Sequence, residues 1–136
     1  MKNRALIKFR NAIERNYHTF EVGMALGFDM ISAEILLELK KDNDYIRIEG
    51  ILPCENQDKF WSEEQKERYK NILKQLDLVH YVNKKYTGPK CMLERNSYML
   101  SRASLVIALY DGKPGGTEKT LKEAEKLGLE IDIIEP

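Results

Sequence analysis

The chain has 136 residues, of which 43% are hydrophobic and 32% are charged, and its 22 Lys and Arg balance 22 Asp and Glu. This composition predicts one globular domain, 1–136, and argues against global disorder. The zero net charge does not favour nucleic acid or an anionic membrane as a partner. The two cysteines have no metal-ligand or redox spacing, and the start lacks the apolar core of a signal peptide. We therefore expect a cytoplasmic domain with no membrane span and no metal site.

The hydrophobic pattern predicts helices and strands that alternate, beginning with a helix. In chain order we predict a helix around residues 5–13, a strand over Tyr17–Val22, a helix over Gly27–Lys41, a strand over Tyr45–Ile51, a helix from Ser62 to about Leu76, a strand over Leu78–Val82, a helix around residues 92–100, a strand over Leu105–Leu109, a helix over Thr117–Leu127 and a strand over Ile131–Ile134. This alternation predicts an α/β fold, a Rossmann-like three-layer sandwich with a mostly parallel sheet of about five strands.

Two local signals sharpen this prediction. Ser62 and Gln65 have the spacing of a capping box at a helix start. Leu105–Leu109 is a continuous apolar run, which is typical of strands buried on both faces of a parallel sheet.

Ligands of open parallel sheets bind beyond the carboxyl ends of the strands, and three unusual segments fall there. The first is G-M-A-L-G-F-D (Gly23–Asp29), between a strand and a helix. The backbone of Gly23, Met24 and Gly27 could approach a phosphate at the helix N-terminus. A tight turn in which the glycines serve packing is an equal alternative. Asp29 would either cap the helix or bind a ribose hydroxyl.

The second segment follows the most apolar strand and precedes a helix. It combines backbone amides, hydroxyls and one cation suited to an anion, and its candidate residues are Asp111, Lys113, Gly115, Gly116, Thr117 and Thr120. The spacing differs from the G-x-x-x-x-G-K-[ST] loop, so an ordinary phosphate-hydrolysing NTPase is not indicated. The alternative is a surface turn with Thr117 as the helix cap.

The third segment is L-P-C-E-N-Q (Leu52–Gln57), in which Glu55, Asn56 and Gln57, following Pro53, could read the edges of a base or ribose. An exposed polar loop is an equal alternative. Further on, Arg95 and Asn96 stand in a helix rich in Met and Leu. Arg95 would reach a phosphate or pair with a surface acid.

Four blocks of the sequence carry a family resemblance: G-M-A-L-G-F-D-M-I-S-A-E-I (Gly23–Ile35), L-P-C-E-N-Q, M-L-E-R-N (Met92–Asn96) and D-G-K-P-G-G-T-E-K-T (Asp111–Thr120). In this order they resemble the YpsA-like family of the SLOG superfamily, Rossmann-like domains related to the LOG phosphoribohydrolases and to the DNA-processing protein DprA. The resemblance implies a small nucleotide or ADP-ribose-like ligand, bound by a sensing or sequestering module. It names no certain cofactor.

The same resemblance offers two alternatives. LOG enzymes cleave the N-glycosidic bond of a nucleotide with a P-G-G-x-G-T-x-x-E loop and an arginine, and here Pro114, Gly115, Gly116 and Arg95 match. Glu118 stands where that pattern has its third glycine. Thr120 and Glu123 restore the T-x-x-E spacing after one inserted residue. The resemblance thus makes Glu118 and Glu123 the candidate catalytic carboxylates of a hydrolase. A DprA-like role on single-stranded DNA is less favoured by the zero net charge.

The resemblance also predicts a strand before the first helix, ending in a T-G-H-R-like turn. This sequence starts at the helix, so we expect that first strand to be absent, either through a short start or in a trimmed member. Its absence would expose backbone groups on neighbouring strands, which leaves a homo-oligomer open.

Overall fold

A computed structural model describes all of residues 1–136. The elements alternate as the sequence predicts and begin with a helix. They are α1 (Lys2–Glu14), β1 (Thr19–Val22), α2 (Phe28–Lys40), β2 (Arg47–Leu52), α3 (Glu63–Gln75), β3 (Leu78–Tyr81), α4 (Lys90–Arg102), β4 (Leu105–Leu109), α5 (Gly116–Lys126) and β5 (Glu130–Ile134). No helix has the length and apolar character needed to cross a bilayer.

The start of α3 shows how local sequence sets an element boundary. The Ser62 hydroxyl accepts a hydrogen bond from the Gln65 amide at 3.2 Å, and the Gln65 side chain accepts one from the Ser62 amide at 3.0 Å. The predicted capping box is confirmed. It satisfies two amides that a helix start otherwise leaves without partners.

The strands form two separate parallel sheets, one with the order β1-β2-β3 and the other containing β4 and β5. Thr19 lies opposite Arg47 in the first sheet, and Leu105 lies opposite Glu130 in the second. The α/β Rossmann-like sandwich is confirmed. The expectation of one sheet of about five strands is corrected, because no pairing joins β1 to β4.

Helices cover both faces and hold the two sheets together. α1 contacts α2, which contacts α3, whereas α4 contacts α5. Lys8 of α1 pairs with Asp132 of the second sheet at 2.7 Å, and Arg15, which caps the end of α1, pairs with Glu130 at 2.6 Å. α4 reaches the first sheet, where Arg102 pairs with Glu21 at 2.6 Å.

The core lies mainly between the first sheet and the helices α1, α2 and α3. Met30, Leu36, Ile48 and Leu52 are almost fully buried there. By contrast, all five residues of β4 keep partial exposure. The prediction that Leu105–Leu109 is buried on both faces is therefore wrong, because one edge of β4 borders an open cavity instead of a neighbouring strand.

Candidate functional site

A cavity of about 1020 Å³ lies between the two sheets and runs the full length of the strands. Every residue of β1 and of β4 lines it. At the carboxyl ends of these strands it opens between two loops, and we call this opening the mouth. Its lining residues are Gly23, Ala25, Leu26, Asp29, Arg95, Asn96, Gly116, Thr117 and Thr120. The structure thus brings residues of the first and second predicted segments, with Arg95 and Asn96, to one place.

Arg95 lies on the floor of the mouth, directly against the backbone of Gly23. It is only 5% exposed. Its Nη1 donates a hydrogen bond to the Gly23 carbonyl. A Cβ atom at Gly23 would lie 2.5 Å from this Nη1 and 2.8 Å from Oδ2 of Asp29. The close approach of Arg95 therefore requires glycine at this position.

Asp29 stands beside Arg95 in the first turn of α2, where Gly27 is the N-cap residue. Its carboxylate accepts a hydrogen bond from the Ala25 amide at 3.1 Å. Burial raises the pKa of Asp29, although the charge of Arg95 and the Ala25 hydrogen bond act in the opposite direction. Burial likewise lowers the pKa of Arg95, with Asp29 opposing the change. A guanidinium stays protonated at neutral pH, so positive charge remains beneath the mouth.

A chain of hydrogen bonds links the two loops across the mouth. Nε of Arg95 donates to Oδ1 of Asn96 at 2.7 Å, and Nδ2 of Asn96 donates to the Thr120 hydroxyl at 3.1 Å. The Thr120 hydroxyl donates in turn to the Gly116 carbonyl at 3.0 Å. This chain connects the loop after β1 with the start of α5 through α4, and so fixes the spacing of the two loops.

The start of α5 forms the second wall of the mouth. Gly115 is the N-cap residue with φ 154°, and no side chain caps the helix. Thr117 therefore does not serve as the predicted cap. A Cβ atom at Gly116 would meet no atom within 4 Å. The first amides of a helix have no partner within it and carry partial positive charge, so this wall is chemically suited to an anion.

The Gly23–Asp29 loop has support that the sequence did not indicate. Met24 adopts φ 61°, which is uncommon outside glycine, and its side chain is fully buried. Its carbonyl accepts a hydrogen bond from Nε2 of Gln57 at 3.2 Å, and the same nitrogen donates to the Tyr69 hydroxyl at 3.0 Å. Gln57, which belongs to the third predicted segment, thus contacts the Gly23–Asp29 loop from outside the cavity.

The remaining predicted residues lie outside the cavity lining: Met24, Gly27, Pro53, Glu55, Asn56, Asp111, Lys113, Gly115, Glu118 and Glu123. Asp111 accepts a hydrogen bond from the Lys113 amide at 2.9 Å within the exposed loop. Glu118 pairs with Lys122 at 3.3 Å. Glu123 accepts a hydrogen bond from the Ser97 hydroxyl at 3.0 Å, between α5 and α4. These contacts occupy both carboxylates away from the mouth.

Leu26 is a lining residue that sequence reasoning missed. It is 40% exposed although it is large and apolar. A leucine in a short loop between Gly23 and Gly27 is the signal that could have found it, because exposed apolar side chains at a pocket rim commonly contact ligands.

Comparison with known proteins gives one family. A family model described as the YspA SLOG family, YpsA, matches residues 1–135. Among similar proteins, the SPbeta prophage-derived protein YoqJ of Bacillus subtilis (strain 168) is 31% identical over 158 aligned positions, which cover 100% of this chain and 92% of YoqJ.

Two UPF0398 proteins match a smaller part of their own length. The protein of Brevibacillus brevis is 31% identical over 121 residues, covering 88% of this chain and 63% of the relative. The protein of Halalkalibacterium halodurans is 29% identical over 116 residues, covering 84% of this chain and 61% of the relative. The chain therefore spans less than two thirds of the length of these UPF0398 relatives.

Proposed function

This chain belongs to the YpsA SLOG family, and we propose that its mouth binds a small nucleotide or an ADP-ribose-like ligand, with a phosphate at the start of α5. The observation that carries the proposal is that two loops line one cavity from opposite sides. The N-terminus of α5, which no side chain caps, lies across the mouth from the Gly23 loop, and hydrogen bonds through Arg95, Asn96 and Thr120 connect the two.

A phosphate at the start of α5 would meet three favourable features. The backbone amides at Gly116 and Thr117 are donors with no helical partner, and the helix dipole places partial positive charge there. The empty space around Gly116 admits an anion close to the backbone. The buried guanidinium of Arg95 adds positive charge beneath the mouth, which the neighbouring Asp29 carboxyl offsets to the extent that it is ionised.

The sugar and base would use the rest of the mouth. The Thr117 hydroxyl and the Asn96 side chain are polar groups at the cavity wall, and Leu26 offers an apolar surface for a base. Family membership suggests a nucleotide-related role, and the ligand class named here is our proposal.

The residues that line the mouth support ligand binding better than they support hydrolysis. Cleavage of an N-glycosidic bond needs a carboxylate beside the ribosyl cation. Glu118 and Glu123 lie outside the cavity lining, where Glu118 pairs with Lys122 and Glu123 accepts a hydrogen bond from Ser97. We therefore propose a sensing or sequestering module rather than a hydrolase.

Calorimetric titration with AMP, NAD and ADP-ribose tests the proposal. We expect saturable binding of at least one of them, with Kd near or below about 100 μM, which corresponds to a binding free energy of roughly 5–6 kcal/mol. The variant Gly116→Val should lose this binding at least tenfold while staying folded, because Gly116 lines the mouth and a Cβ atom there meets no other part of the protein within 4 Å.

The matched control is Glu125→Val, an exposed position on the same helix outside the cavity lining. It should bind as the unmodified chain does. Absence of heat with all three compounds, by a chain whose circular dichroism shows it folded, would contradict the proposal.

A further inference from the structure

The outer edge of the first sheet is a strand edge without a neighbour. β3 is last in the order β1-β2-β3 and pairs only with β2, where Leu78 lies opposite Glu49 and Tyr81 lies opposite Leu52. A strand that is paired on one side leaves the N–H and C=O groups of its other side without ladder partners. No residue of β3 lines the cavity, so this edge is separate from the candidate site.

The edge is accessible and long enough to accept another strand. Pairing with β2 continues beyond both ends of β3, because the amides of Asp77 and Val82 each donate to a carbonyl of β2 at 2.9 Å. Residues 77–82 thus run along β2. Leu78 is 40% exposed and Tyr81 is 38% exposed, although both are large and apolar. The edge therefore offers free backbone groups together with apolar surface.

The sequence of this edge lacks the features by which natural sheets prevent pairing. Edge strands are commonly protected by proline, by charged side chains such as lysine, or by a covering segment. Residues 78–83 contain no proline and no Lys, Arg, Asp or Glu. The charge that precedes them, Asp77, already accepts a hydrogen bond from Lys40 at 2.6 Å. An accessible, uncharged edge of this kind favours the addition of a strand.

The edge is complementary to itself in an antiparallel pairing. Residues directly opposite each other in such a pair point to the same face of the sheet, and faces alternate along a strand. A two-fold axis therefore passes through a residue and not between two residues. With the axis at His80, Val79 of each copy lies opposite Tyr81 of the other, and Leu78 lies opposite Val82. Every apolar side chain of the edge then meets an apolar side chain.

The neighbouring register is less favourable. An axis at Val79 would place Leu78 opposite His80 and Tyr81 opposite Asp77, so that apolar side chains would lie against polar ones. Cross-strand pairs of apolar and aromatic side chains are what stabilises one register over another. The residues of the edge therefore select the axis at His80.

The charges beside the edge also favour a second copy in the antiparallel direction. Asp77 precedes β3, whereas Lys84 and Lys85 follow it and are exposed. Antiparallel pairing brings the basic end of one copy towards the acidic end of the other, whereas parallel pairing would bring like charges together. The chain as a whole has zero net charge, so there is no net repulsion between two copies.

We propose that two copies of this chain pair antiparallel through β3, about a two-fold axis at His80, and join their first sheets into one sheet of six strands. A two-fold contact uses the same edge in both copies, so the assembly ends at a dimer. The His80 ring stacks on Tyr98 of α4 with centroids 4.9 Å apart, so α4 of each copy lies on the face to which His80 points. The mouths take no part in the contact, because no lining residue belongs to β3.

Sedimentation velocity of the full chain tests the association. We expect a reversible dimer with a dissociation constant on the order of 10 μM, since one pair of short strands buries less surface than most stable interfaces. Tyr81→Lys should weaken the dimer at least tenfold, because it places an ammonium group on the edge opposite Val79 of the second copy. The matched control is Phe60→Lys, which makes the same kind of change at a 90% exposed aromatic residue outside β3. It should dimerise as the unmodified chain does.

A cysteine at the axis tests the register. Directly opposite Cα atoms of antiparallel strands are about 4.5–5.5 Å apart, which is within the range that a disulfide spans. Oxidation of the His80→Cys variant should therefore give a covalent dimer at concentrations near the dissociation constant. Tyr81→Cys is the control, because its counterpart in the second copy lies two residues away from the directly opposite position. The native Cys54 and Cys91 are buried and do not compete.

A chain that is folded by circular dichroism yet stays monomeric well above this dissociation constant would overturn the proposal and leave the edge for a different polypeptide. So would a dimer that Tyr81→Lys weakens no more than Phe60→Lys does. Cross-linking of Tyr81→Cys to the same extent as His80→Cys would likewise contradict the pairing. These measurements contain no nucleotide, so this proposal and the proposed function can fail separately.

Discussion

At the residue scale, the contact between Gly23 and Arg95 governs the shape of the mouth. The sequence left packing and ligand binding open for this glycine, and the structure supplies a packing reason without removing its place in the cavity lining. The motif predicts Arg95 and Asn96 as ligand-binding residues, but it does not predict their partners. Gly23 and Arg95 are 72 positions apart, and local patterns do not report such distant contacts.

The variant Gly23→Ala tests this contact. Its methyl group would lie 2.5 Å from Nη1 of Arg95, so Arg95 or the loop must shift. We expect stability to fall by about 1–3 kcal/mol, the usual cost of overpacking. Affinity for the nucleotide that binds in calorimetry should fall at least tenfold. Urea unfolding and titration measure the two effects.

Gly128→Ala is the matched control for Gly23→Ala. Gly128 has φ 74°, so alanine costs about 1–2 kcal/mol there, and the residue lies after α5 outside the cavity lining. This variant should lose stability yet keep its affinity. Equal losses of affinity in both variants would mean that general destabilisation, rather than the Arg95 contact, weakens binding.

At the element scale, periodicity and caps predicted which segments become helices and strands, and the capping box of α3 is confirmed in atomic detail. The environment of each element was harder to predict. Leu105–Leu109 is a strand with the predicted ends, but its burial depends on what lies beside it, and its free edge borders the open cavity. Composition reports the preference of a strand for burial, not whether a partner is present.

Asp77 ties α2 to the first sheet and gives an element-scale prediction. Its carboxylate accepts hydrogen bonds from Lys40 at 2.6 Å and from the Ile48 amide at 2.8 Å. These interactions hold the pKa of Asp77 below its ordinary value. The folded state thus releases this proton more readily than the unfolded state. The stabilisation from these interactions is therefore complete above the ordinary pKa of aspartate, and it is lost as the pH falls from that value through the lowered pKa of the folded state.

We expect Asp77→Asn to lower the free energy of unfolding by about 1 kcal/mol at pH 7 and by clearly less at pH 3. Urea unfolding at both pH values measures this. The control Asp44→Asn changes an exposed carboxylate that takes no part in these contacts, and it should have no effect. The interpretation fails if the cost of Asp77→Asn is the same at pH 3 as at pH 7.

At the scale of the whole molecule, the alternation of helices and strands was enough to predict a parallel α/β sandwich. The division into two sheets was not predicted, because each strand alone does not specify its neighbours. That division has a functional consequence. It places the loop after β1 and the start of α5 on opposite sides of one cavity, so the candidate site depends on α1 and α4 to hold the halves in register.

The central claim, that the mouth binds a nucleotide through the start of α5, is tested most directly by amide chemical shifts in a two-dimensional NMR titration with AMP, NAD and ADP-ribose. We predict that at least one compound shifts the amides of residues 23–25 and 116–118 together and in proportion to saturation, while residues 78–81 of the distant strand β3 stay unchanged. A folded chain whose amides at 23–25 and 116–118 do not move with any of the three compounds, or whose shifts concentrate elsewhere, would contradict the account.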